Sequence, residues 1–414
     1  MHRRVFLALL LAGCSTGPAR AQPVPGPQAP AALPPPPLGP MSFNDWLESF
    51  RARAVVAGIP RTVLDRELAG LTPNDRVSAL DGAQPEFSRP VSAYIKAALT
   101  QSRIDIGRRR RNEPFFPAIE QRYGVPREIL MGVWAQESGF GTILGDLDII
   151  RSLATLAADG RRRAWAEGEL IAALRIIASG EHPRSRLKGS WAGAFGQTQF
   201  IPTTYLSTAV DGDGDGRRDM WGSPADALAS AANLLAKAGW RRGESWAREV
   251  TVPNGFDFSL TEGPKETPDW WEARGVRRAD GQPWSAADRA APAQLLAPSG
   301  ANGPLFLLFP NHFAIRQYNN SVAYALAVGL LADRFAGMGP LVKAWPEEVG
   351  LALADRQAAQ RALARLGFDP GAPDGVVGMN TRSALRAWQK SRGLTADGYL
   401  SMDMVRRLRT EAGV

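Results

Sequence analysis

The chain has 414 residues, 44% of them apolar and 22% charged, which suits two or three domains with hydrophobic cores and excludes a disordered protein. A net charge of +8 favours polyanionic surroundings, but no nucleic-acid-binding motif accompanies it, so an anionic cell wall or membrane surface fits better than nucleic acid. The single cysteine rules out an intramolecular disulfide and any cysteine metal cluster. The three histidines lack the spacing of a zinc site, and no G-x-S-x-G elbow supports a serine triad, leaving His182 and His312 as structural or surface residues.

Residues 1–21 read as an export signal, with Arg3 and Arg4 preceding a short apolar stretch from Val5 to Ala12 that cannot span a bilayer. Two processing sites compete. Leu11-Ala12-Gly13-Cys14 matches a lipobox, in which Cys14 would carry an outer-membrane lipid anchor, while Ala19-Arg20-Ala21 offers ordinary secretory cleavage. Either places the mature protein in the periplasm. Residues 22–40 are Pro-rich and aperiodic, the composition of a semi-extended linker.

From residue 41 the pattern is mainly helical. The runs Arg108–Arg111 and Arg161–Arg163 have the density expected of solvated faces. Pro126 suits a first helical turn, and Ile129, Leu130, Val133 and Trp134 then recur at helical spacing. Glu137 projects from that same apolar face, where desolvation would disfavour its charged form and raise its pKa. Ser138, Gly139 and Gly141 then break the helix and leave room beside the carboxyl, as general acid catalysis requires.

Asp211, Asp213, Asp215 and Asp219 occupy positions one, three, five and nine of an EF-hand-like calcium loop, with Gly216 at the sharp turn and the Arg217 carbonyl as a further ligand. Gly222 stands where the usual bidentate Glu would be, so Asp226 is the candidate for the final carboxylate. The stretch 241–302 is richer in Pro, Gly, Trp and β-branched runs such as E-V-T-V-P and predicts a small β-containing insertion; Leu305 to Phe309 is also strand-like. A break at 344–348 precedes a compact C-terminal segment, in which Asp374-Gly375 and Asp397-Gly398 suit tight turns while Leu385 and Trp388 share one helix face.

Several motifs occur together in order: Q-P-E-F at Gln84, Y-G-V-P at Tyr123, E-S-G-F-G at Glu137, G-S-W-A-G-A-F-G-Q-T-Q-F at Gly189, the D-G-D-G-D-G loop, and Y-N-N-S-V-A-Y at Tyr318. On these the chain resembles the lytic murein transglycosylases of the membrane-bound transglycosylase B type. The resemblance implies a lysozyme-like catalytic domain over 41–343, within a mainly α (α+β) fold, with Glu137 as single catalytic acid and base. It also implies that Ser190 and Gln199 line the saccharide groove, that Tyr318, Asn319 and Tyr324 shape the pocket, and that Ca²⁺ occupies the acidic loop. One departure is Leu234, where related sequences often carry a Tyr facing sugar. Residues 349–412, through Q-R-A-L-A-R-L-G-F, P-D-G-V-V-G-M-N-T and L-T-A-D-G-Y, resemble a three-helix peptidoglycan-binding domain, which implies peptidoglycan glycan strands as partner.

The implied reaction is cleavage of the MurNAc-β-1,4-GlcNAc bond with formation of a 1,6-anhydroMurNAc end. Asp146 and Asp148 are the nearby acids able to serve as a second carboxylate, which would make the protein a hydrolytic muramidase instead. The alternative of another class is a non-catalytic, calcium-stabilised wall-binding protein.

Overall fold

The computed structural model describes residues 41–82, 89–261 and 263–414. Cys14, the signal segment, the Pro-rich stretch and the motif beginning at Gln84 lie outside the described residues. The architecture is mainly helical, with a small five-stranded sheet and a separate C-terminal bundle.

The helix Arg127–Ser138 is central. Pro126 caps its N-terminus, one position earlier than the sequence reading placed it, and Gly139 ends it in the left-handed region at φ 56°. Ile129, Leu130, Val133 and Trp134 are all buried, as their spacing predicts. The helix packs against Val322–Phe335 at very close range, because a Cβ at Gly132 would lie 2.6 Å from the Val328 carbonyl oxygen. A side chain there would push the two helices apart, so Gly132 holds Glu137 close to the residues of the second helix.

A second core forms where Ile149–Asp159 packs on Arg163–Ala178. Asp148 caps the former helix by accepting from the Arg151 amide at 3.1 Å. The helix Phe43–Val56 is fastened to this layer through Glu167, whose carboxylate accepts from Arg53 Nη2 at 2.7 Å and from Trp46 Nε1 at 2.8 Å in a buried cluster. Arg161 and Arg162 pair with Asp81, and Arg163 is buried with its Nε on the Ala157 carbonyl. This corrects the solvated-face reading of that run: its charges tie chain segments together.

The expected β-containing insertion is present, and the strand-like run at Leu305 to Phe309 joins its sheet as Leu305–Leu308. Its antiparallel sheet orders the strands Lys265–Glu266, Ala293–Leu296, Leu305–Leu308, Ala247–Thr251 and Arg277–Arg278. Val250, Trp271, Leu295 and Leu307 contribute to a core of its own. His182 and His312 are both buried; His182 Nε2 meets Tyr205 Oη and the Arg218 carbonyl, each at 3.1 Å.

The C-terminal helices Leu353–Arg365, Met379–Ser391 and Met402–Ala412 enclose Leu363, Leu385, Trp388 and Leu408. Each Asp-Gly turn is pinned by a glutamine: Gln360 Oε1 accepts from the Gly375 amide at 2.7 Å, and Gln389 Oε1 from the Gly398 amide at 2.8 Å. The connecting segment is strapped to the sheet, its Val342 and Lys343 amides donating to the Glu249 carboxylate. The bundle itself docks through Asp397, which accepts from the Ala301 amide at 2.9 Å.

Candidate active site

Glu137 occupies the last turn of the Arg127–Ser138 helix. The residue keeps part of its surface open to solvent, yet its carboxyl is ringed by protein, and that desolvation pushes its pKa up to about 7. The opposing influence is the Tyr324 hydroxyl, which donates to Glu137 Oε1 at 2.5 Å and favours the charged form. No neighbouring carboxylate contributes to the shift. A group poised at this value can both give and take a proton near neutrality.

Tyr324 lies in the first turn of Val322–Phe335, whose N-cap Ser321 accepts from the Tyr324 amide. Tyr318 ends the preceding helix, Pro310–Tyr318, and the chain reverses between them. The two rings stack, their planes 11° apart and centroids 6.4 Å apart. Their spacing of six is therefore the geometry of a turn joining two helices. Tyr318 donates to the Thr198 carbonyl at 2.5 Å. Burial and then the Glu137 charge push both phenols well above the ordinary tyrosine range, so both remain donors.

The other residues implied by the resemblance make their observed contacts away from the Glu137 carboxyl. The Ser190 hydroxyl accepts from the Ala194 amide at 3.0 Å, closing a local turn. Gln199 donates to the Gly196 carbonyl at 2.9 Å and adopts a left-handed backbone at φ 48°. Phe140 (φ 62°), three residues after Glu137, is the other non-glycine residue in that region among the described residues. Two such conformations, one three residues past Glu137 and one next to the Thr198 that anchors Tyr318, are the kind of backbone strain that collects at functional sites. Asn319 is exposed at the reversal between the tyrosines. Leu234 is half-buried and packs on the second core.

Both candidate second carboxylates are engaged elsewhere. Asp146 is exposed and pairs with Arg76 at 3.4 Å; Asp148 caps its helix and pairs with Arg184 at 2.9 Å. Among the described residues, Glu137 is the desolvated acid that the tyrosine pair addresses.

The acidic loop folds into a cluster smaller than the sequence reading drew. Oxygens of Asp211, Asp213 and Asp226 lie within 4.8 Å of one another. Asp226 is buried in the first turn of Pro224–Lys237 and accepts from the amides of Gly212 and Asp219. Burial and the Asp213 charge raise its pKa, a strain that a bound dication would relieve. Asp215 is exposed and turns to the Arg217 amide, and Arg217 is itself exposed. Asp219 does not join the cluster: its carboxylate accepts from the Trp221 and Gly222 amides and pairs with Arg186 at 2.6 Å. Arg186, 33 positions away, has captured the position-nine ligand of the sequence pattern.

The model of the transglycosylase SLT domain matches residues 42–333. The chain belongs to that family. Its members are lytic transglycosylases that act on peptidoglycan. A second model, the putative peptidoglycan binding domain, matches residues 353–408. The chain is 34% identical over 217 residues to the membrane-bound lytic murein transglycosylase B of Escherichia coli K12, covering 52% of this chain and 58% of that protein's length. The crystal structure of SltB3 from Pseudomonas aeruginosa, in complex with NAG-anhNAM-pentapeptide, is 46% identical. That likeness covers 89% of this chain and 99% of the other, with a TM-score of 0.84. The Escherichia coli lytic transglycosylase Slt35, in complex with calcium, is 31% identical over 70% of this chain and 92% of its own, with a TM-score of 0.60.

Sequence reasoning missed Thr198 and Gln197. The carbonyl of the first anchors Tyr318, and the second contacts the helix that carries Glu137 directly, with Gln197 Oε1 accepting from Trp134 Nε1 at 3.0 Å. Both lie in the Gly189–Phe200 motif, where alternation of glutamines at 197 and 199 was the available signal.

Proposed function

We propose that this protein cleaves the MurNAc-β-1,4-GlcNAc bond of peptidoglycan by intramolecular transfer, leaving a 1,6-anhydroMurNAc end. The observation that carries this is Glu137, a single desolvated carboxyl poised near pH 7 and held by Tyr324. Protonated Glu137 donates to the glycosidic oxygen as the bond from C1 breaks, and the GlcNAc portion leaves with that proton. The resulting carboxylate then takes the proton of the C6 hydroxyl as O6 closes onto C1. No water is consumed, and Glu137 ends protonated as it began. Tyr324 steadies the carboxylate between the steps, and Tyr318 holds Tyr324 in place by stacking. One carboxyl is enough for this sequence, whereas hydrolysis by the usual inverting or retaining routes needs two. The engagement of Asp146 and Asp148 in ion pairs weighs against the muramidase alternative.

Ser190, Gln199 and Asn319 flank the tyrosine pair as saccharide contacts in this reading. Asp211, Asp213 and Asp226 have the hard oxygen donors and spacing to hold Ca²⁺, which would offset most of the cluster's negative charge and stiffen the loop; the calcium complex of Slt35 supports this. Catalysis is assigned to 41–343 and wall attachment to 349–412. The site of action is the periplasm. Among the described residues no helix is long and apolar enough to cross a membrane, and an anchor would reside at Cys14. Glu137→Gln tests the assignment: glycan cleavage should fall at least 1000-fold while sedimentation with intact sacculi is retained. Cleavage within tenfold of the parent would remove Glu137 from its role.

A further inference from the structure

Gln197 is buried and makes four hydrogen bonds, two accepted on one side and two donated on the other. Its side-chain oxygen accepts from Trp134 Nε1 at 3.0 Å, and its carbonyl accepts from Ser138 Oγ at 2.6 Å. These two partners bracket Glu137, one three positions before it and the other immediately after, within the last turn of the same helix. On the other side, the Gln197 amide nitrogens reach the segment that closes the acidic loop: the backbone N–H donates to the Met220 carbonyl at 2.8 Å and Nε2 to the Trp221 carbonyl at 3.2 Å. The neighbouring Thr198 carbonyl receives Tyr318, which stacks on Tyr324, which holds Glu137. Two consecutive residues thus fix the acid and its hydrogen-bond donor from opposite sides.

We propose that Gln197 is a positioning residue for the reaction of Glu137, its side-chain amide locking the catalytic turn to the Met220–Trp221 segment. The proposal deepens the transglycosylase reading and rests on it. Gln197 does not reach the carboxyl itself; it acts by preventing the last helical turn from rotating or fraying. An apolar side chain of equal length would leave the Trp134 indole N–H and the Trp221 carbonyl without partners, and the turn would shift to find water. A displacement of about 1 Å in a catalytic group costs on the order of 100-fold in rate, with substrate binding along the groove little affected.

The test uses the full chain on soluble glycan fragments, well below each variant's melting temperature. Gln197→Met should lower kcat between about 10- and 100-fold with KM within about threefold. Gln197→Glu supplies the discriminating readout. A carboxyl buried there is protonated at pH 5 and can again donate to Trp221 while accepting from Trp134. At pH 5 this variant should recover at least about tenfold in kcat over Gln197→Met, a rescue that loss of packing would not produce. A kcat for Gln197→Met within twofold of the parent, or no advantage of Gln197→Glu at pH 5, would overturn the proposal. Failure of the underlying reading shows separately, as unimpaired cleavage by Glu137→Gln.

Discussion

Glu137 should be a burden on stability as well as the source of activity. Its pKa stands at about 7 in the folded protein against 4.5 for the free group, so the folded state holds this proton more tightly than the unfolded chain. The group's favourable contribution is therefore complete below about pH 4.5 and is lost as pH rises through about 7. At 1.36 kcal/mol per unit, the loss reaches at most about 3 kcal/mol above neutrality. Glu137→Gln keeps the shape and a partner for Tyr324 but has no charge to desolvate. The variant should match the parent at pH 4.5 and exceed it at pH 8 by up to about 3 kcal/mol, read as an upward shift of about 1 M in the urea midpoint. The assay is urea unfolding of both proteins at the two pH values, followed by tryptophan fluorescence. Coincident midpoints at pH 8, or a parent more stable than the variant, would refute the desolvation argument.

Tyr324→Phe removes the bond that favours the Glu137 carboxylate; such bonds to charged groups contribute about 1.5–3 kcal/mol, so the pKa of the acid should rise by one to two units. Because cleavage requires the protonated acid, the alkaline limb of the kcat/KM profile should move from near 7 to higher pH, and a limb that stayed or fell would contradict the geometry. Ca²⁺ at about 100 times its Kd should stabilise the EGTA-stripped protein by about 2.7 kcal/mol, seen by differential scanning fluorimetry as a melting temperature at least about 5 °C higher. Asp226→Asn should abolish that response; equal melting temperatures of the parent in EGTA and in Ca²⁺ would dismiss the metal site. Glu167→Ala strands the buried Arg53 guanidinium and the Trp46 N–H, and should cost about 3–5 kcal/mol in urea unfolding. A loss below about 1 kcal/mol would mean that the N-terminal helix is held by other contacts.

Local chemistry was legible where periodicity or turn residues determine it. The apolar stripe at Ile129, Leu130, Val133 and Trp134 placed Glu137 on the right face, and the Asp-Gly pairs at 374 and 397 marked the turns of the C-terminal bundle. What spacing could not disclose were pairings across the chain. Asp219 matches a metal-loop position by sequence, but Arg186 competes for it with a full charge, and only the fold brings them together. Tyr318 and Tyr324 look incompatible on one helix and become a stacked pair once the chain reverses at 319–321. Ser190 and Gln199 were named by resemblance alone, and their observed bonds are to backbone groups, local ones and, for Gln199, also the Leu144 carbonyl. Gln197 is marked in the sequence only by its alternation with Gln199, which reveals nothing of which buried donors it must satisfy.

The central claim is intramolecular transfer driven by one carboxyl, and the product identifies it directly. Purified mature protein incubated with intact sacculi should release muropeptides ending in 1,6-anhydro-N-acetylmuramic acid, as read by mass spectrometry, and Glu137→Gln should release none above background. Products heavier by one water, with free reducing ends, would show hydrolysis and contradict the single-carboxylate account.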